Sequence, residues 1–82
     1  MVLAGKTFKE FIMKLSTRNM LKGKVVKVED GAVNGVVTLD IGGGQQVVSV
    51  ITMESIRNLG LAPGKEAYAL IKASSVMMGV DD

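Results

Sequence analysis

Cysteine, histidine and tryptophan are absent from this chain, proline occurs once, and aromatic residues make up 4% of it. Without thiolate or imidazole there is no disulfide, no Cys- or His-based nucleophile or base, and no zinc, haem or iron–sulfur site of the usual kinds. From Met13 onward the sole aromatic is Tyr68, which argues against a groove that stacks single-stranded bases. Charge of one sign is missing too. Ten Lys and Arg stand against eight Asp and Glu, leaving +2 with the cations scattered, too weak a field to mark a DNA-binding surface. No apolar run approaches the roughly eighteen residues that cross a bilayer, and the first dozen residues lack the apolar core of a secretory signal. The expectation is a soluble cytoplasmic protein with neither membrane nor nucleic acid as partner.

What is present is apolar. Of 82 residues, 48% are hydrophobic and the mean hydropathy is +0.34. The length makes one domain, and a chain of this size buries only roughly 60–65% of its unfolded surface. No disulfide or metal compensates for so small a core, so the remaining apolar surface points to subunit contacts. A homo-oligomer is expected.

Residues 1–12 differ in texture and hold both phenylalanines. Thr7 and Glu10 form a Thr-x-x-Glu capping box ahead of an apolar face of Phe8, Phe11, Ile12 and Leu15, which reads as a short helix. The plainer reading is an extension, a tag or an upstream start, with the functional domain spanning 13–82. From Leu21 the pattern turns to β, with Val25, Val26 and Val28 among lysines and then Val33, Val36, Val37 and Leu39. In the first run the apolar phase slips between Val25 and Val26, as a bulge or sharp bend requires. Gly42-Gly43-Gly44 suits a tight hairpin; with no Lys-Ser/Thr and no long helix after it, it is not a phosphate loop. The third strand, Gln46 to Ile51, is apolar on both sides and is expected to be covered on both. Thr52 as N-cap, Ile56 and Leu59 on one face and Gly60 as stop mark a short helix. Leu61-Ala62-Pro63-Gly64 is a turn, and Glu66 to Val80, interrupted near Ser74-Ser75, supplies two further strands. The pattern predicts an all-β fold, a small five-stranded OB-like Greek-key barrel with one short helix between strands three and four.

The chemistry-bearing residues are donors. Ser16, Thr17, Arg18 and Asn19 stand together at the entry to strand one. They are either a solvated strand start or a nest of hydroxyl, amide and guanidinium groups for an oxyanion. Lys72 interrupts an apolar run, with Ser74 and Ser75 just beyond. It is either an edge lysine with its head in water or an ammonium balanced by a bound anion. The six methionines read as core or interface filler. Carboxylates are dispersed (Asp40, Glu54, Asp81, Asp82), and no pair argues for general acid and base, so the chain is expected to be a binder and not an enzyme.

These residues carry a family resemblance. Leu15-Ser16-Thr17-Arg18-Asn19-Met20-Leu21-Lys22-Gly23-Lys24-Val25-Val26 resembles the Ser-Ala-Arg-Asn-x-Leu-x-Gly-x-Val opening of the molbindins, the molybdenum-pterin-binding protein (Mop) family. The stretches Gly31 to Asn34, Gly42 to Gly44, Ile51 to Ile56 and Leu59 to Met77 match it in the same order and spacing. Thr17 stands where Ala is usual, and Ser74 replaces a frequent Thr. The resemblance implies an OB-like barrel assembled into hexamers that bind molybdate or tungstate between subunits, for molybdenum storage, buffering or homeostasis. It implies that Ser16, Arg18 and Asn19 of one subunit, with Lys72, the Ala73 backbone and Ser74 of another, surround the oxyanion. Thr52 and Ser55 are weaker candidates for a second site. No redox cofactor and no metal-ligating side chain are implied. The rival class is an OB-type nucleic-acid-binding module.

Overall fold

The computed structural model describes residues 18–82. The helix and extension readings of residues 1–12, and Ser16 and Thr17, lie outside the described residues. Within them the valine-rich runs form strands β1 (Asn19–Glu29), β2 (Asn34–Gly42) and β3 (Gln45–Thr52), followed by helix α1 (Met53–Leu59) and strand β4 (Glu66–Ile71). All neighbours are antiparallel. The sheet order is β3-β2-β1-β4, the Greek-key arrangement in which a fourth strand returns beside the first.

The phase slip in β1 is a bulge. Val25 pairs with Leu39 and Lys27 with Thr38, so Val26 is the extra residue and turns outward, while Val25 and Val28 both face in. At the other end of β2, Gly42 pairs with Gln45 and closes a two-residue hairpin. Its central Gly43 and Gly44 have φ of 62° and 79°, a backbone that side chains with a Cβ resist. The Asp40 carboxylate accepts the Gly42 N–H at 2.8 Å.

Helix α1 begins and ends where its sequence signals lie. Thr52 Oγ1 accepts from the Ser55 N–H at 3.1 Å. Gly60, left-handed at φ 64°, ends the helix, and Leu61 N–H reaches back to the Ile56 carbonyl at 3.0 Å, which satisfies last-turn carbonyls. Met53 and Ile56 face the sheet and join Val25, Val37 and Leu39 in the core. Leu59, expected on that face, is exposed, because it lies at the rim where the sheet opens. The turn after the helix, closed by Lys65 N–H to the Ala62 carbonyl at 3.0 Å, docks on the bulge: Val25 donates to the Lys65 carbonyl and accepts from Gly64 N–H, both at 2.8 Å.

Two expectations are corrected. The fifth strand does not form. After β4 the chain makes a 3-10 turn at Ala73–Ser75, and residues 76–80 have no ladder partner among the described residues. A strand exists only where neighbouring backbone takes its N–H and C=O groups, and sequence pattern does not supply that neighbour. Strand β3 is also uncovered on one side. Val47, Ser49 and Ile51 lie opposite the inward-facing Leu39, Val37 and Gly35, but Val48 and Val50, on the outer face, are 64% and 65% exposed, since helix α1 packs on the inner side.

Candidate functional site

The site is built by the β1–β4 ladder. Its register runs from Lys24 opposite Glu66 to Asn19 opposite Ile71, so the residues one step beyond, Arg18 and Lys72 of the same chain, come to the same end of the sheet. Both are exposed, and neither forms an ion pair among the described residues, where Lys22–Glu66 and Lys27–Glu29 are the pairs present. Asn19 is half-buried and its Nδ2 donates to the Ile71 carbonyl at 3.1 Å. Past Lys72 the 3-10 turn closes with Ser75 N–H to the Lys72 carbonyl at 2.8 Å. The N–H groups of Ala73 and Ser74 precede that bond and are not used inside the turn. The resemblance divides Arg18 and Asn19 from Lys72, Ala73 and Ser74 between two subunits, whereas the β1–β4 register makes them neighbours within one chain, an arrangement made of donors with no carboxylate among them. Lys72 is not buried in the single chain, which matches the edge-lysine reading of its local setting. No group of three or more Asp or Glu able to hold a metal occurs among the described residues.

Comparison with known proteins identifies the family. The TOBE domain family matches residues 15–78. A probable molybdenum-pterin-binding protein of Haemophilus influenzae is 55% identical over 69 residues, covering 84% of this chain and all of the relative. The chain belongs to the molybdenum-pterin-binding (Mop) family. Among solved structures, the Mop protein MopII from Clostridium pasteurianum in its apo form is 41% identical, with a TM-score of 0.76 over 80% of this chain and 98% of that one. The cytoplasmic molybdate-binding protein ModG, solved with molybdate bound, is 50% identical, with a TM-score of 0.79 over 83% of this chain and 48% of that one. The OB-like Mop fold, mostly β with one helix, is therefore the fold of this chain.

Two other places in this Mop chain deserve comparison with the donor cluster. Thr52 and Ser55 lie at the far end of the β1–β2–β3 ladder, where Asn34 pairs with Thr52, and the structure does not bring them to Arg18 and Lys72. Their hydroxyls bond each other at 2.9 Å and cap α1, which accounts for both residues locally. The second place was not foreseen from sequence. Strands β3 and β4, the two outer strands, border an open cavity of about 650 Å³ lined by Val47, Ile51, Leu61, Ala67, Ala69 and Ile71 among others. Its walls are mostly hydrocarbon, with Ser49, Lys65, Glu66 and Tyr68 the polar exceptions, so it suits a largely apolar occupant better than a dianion. The signal for it was the surplus of apolar residues in so short a chain.

Proposed function

We propose that this Mop chain binds molybdate or tungstate in the cytoplasm, serving molybdenum storage, buffering or homeostasis. The observation that carries the reading is the meeting of Arg18 and Lys72 at one end of the β1–β4 ladder, without a carboxylate partner among the described residues. Two cations left together repel each other, and an anion between them removes that cost. A tetrahedral dianion offers only acceptor oxygens, so it takes N–H, O–H and ammonium donors and needs no side chain on the metal itself. Arg18 supplies a planar fork, Lys72 a point charge, and Ala73 N–H with the Ser74 hydroxyl finer positioning. Ser16 belongs to the same set by family resemblance. Selection against the smaller sulfate rests on donors left unpaired by a poor fit.

Assembly is part of the reading. The β3 and β4 edges, the cavity between them and the apolar arm Val76–Val80 are the features a second copy would cover. Met77 and Met78 are both 92% exposed on that arm. The expected assembly is a hexamer in which a neighbouring chain completes the donor shell, so that bound anion stabilises the assembly by mass action. The test is a native mass spectrum from sulfate-free buffer at low micromolar concentration, before and after adding molybdate. A closed oligomer gaining discrete oxyanion masses is expected, and Lys72→Ala should weaken uptake about ten- to a hundredfold. A monomer that gains no mass would sink the reading; strongly salt-dependent affinity for single strands would then favour the nucleic-acid alternative.

A further inference from the structure

We infer that Asn19 is a positioning residue, which holds the Lys72–Ser75 turn in place for the anion and is not itself one of the groups that grip it. The inference rests on the molybdate reading and refines it. Asn19 opens β1 opposite Ile71, the last residue of β4, and its Nδ2 donates to the Ile71 carbonyl at 3.1 Å across 52 residues of sequence. A carbonyl accepts only from a donor, so the carboxamide must turn its nitrogen there. That carbonyl belongs to the planar peptide joining Ile71 to Lys72. Fixing one side of the plane fixes the direction in which Lys72 leaves the sheet.

Everything the β4 side offers an anion lies downstream of that peptide. Lys72 is extended at φ −61° and ψ 133°, Ala73–Ser75 turn back, and the turn's first bond ends on the Lys72 carbonyl. The end of a ladder is where a sheet opens most readily, and Asn19 adds a side-chain bond at that end. Turning one Nδ2 N–H to Ile71 spends that donor on the protein and commits the carboxamide plane to the strand end; the second N–H sits beside an Oδ1 acceptor, which an oxyanion repels.

The experiment uses the full chain and two readouts: amide hydrogen exchange without anion, and molybdate titration. In Asn19→Ala the Ser75 and Val76 amides should exchange about tenfold faster, with those of Val25 and Val37 unchanged, and molybdate affinity should fall by a similar factor. Asn19→Leu keeps the side chain's size and removes the donor without adding a charge. It should show the same faster exchange at the turn and the same fall in affinity, and if Asn19→Ala fails to fold this variant decides. Weakened affinity with unaltered exchange overturns the inference and makes Asn19 a direct ligand. Faster exchange with unaltered affinity overturns it as well, because the turn then lies outside the site. A wild-type chain that takes up no molybdate refutes the proposed function itself, whatever the exchange shows.

Discussion

Strand β1 has two halves that meet at Lys24, which pairs with Asp40 on one side and Glu66 on the other. The half after Lys24 is sealed: Val25 is 1% exposed, α1 lays Met53 and Ile56 into the same core, and the Gly64–Lys65 turn grips the bulge. The half before Lys24 is open. Leu21, opposite Ala69, and Leu70, opposite Met20, are both exposed, and beyond them the arm carries bare methionines. The difference teaches how a marginal chain distributes its resources. One seven-residue helix and one turn cover a single half, and the other half keeps its apolar surface and its cations for contacts that a lone chain cannot supply.

The comparison can be broken most forcefully in the sealed half. Ile56→Ala should cost about 2–5 kcal/mol of unfolding free energy in urea titration, whereas Leu21→Ala in the dilute single chain should cost less than about 1 kcal/mol. Equal losses would show that the two halves are equally packed. Next in size is Thr52→Ala, which removes the cap of the covering helix. A loss of about 1 kcal/mol is expected, read as a lower melting temperature. The smallest effect on folding should come from ending the chain after Ser75. Unfolding free energy of the dilute chain should change by less than about 0.5 kcal/mol, yet sedimentation should show smaller assemblies. A truncated chain that assembles like the full one would mean the arm is not what the open half awaits.

Much of the sealed half was legible in the residues. Thr52 and Gly60 bound α1 because caps act locally, the slip between Val25 and Val26 marks the bulge because sheet faces alternate strictly, and Gly43–Gly44 mark the hairpin. The open half was harder. An apolar strand that faces its own core and one that awaits another molecule have the same pattern, so Val48 and Val50 read as covered and residues 76–80 as a fifth strand. The donor residues were picked out individually, and the resemblance grouped them. Their meeting within one chain depends on the β1–β4 register, which no local spacing encodes. The Asn19 bond to Ile71 was hidden for the same reason.

That register also orders events in time. Strand β4 is the last strand among the described residues, but its partner is the first, so the pairing that joins Asn19 to Ile71 is among the most non-local in the fold. Contacts of that kind form late, after hairpins such as β1–β2–β3 have closed. A nascent chain on the ribosome can therefore build the meander and carry Arg18 and Asn19, yet lack the Ile71 carbonyl and the Lys72–Ser75 turn until β4 and the residues after it have been synthesised. On the proposed reading, the capacity to capture an anion arrives with β4, and a stalled or truncated translation product lacking that strand would not compete for cargo.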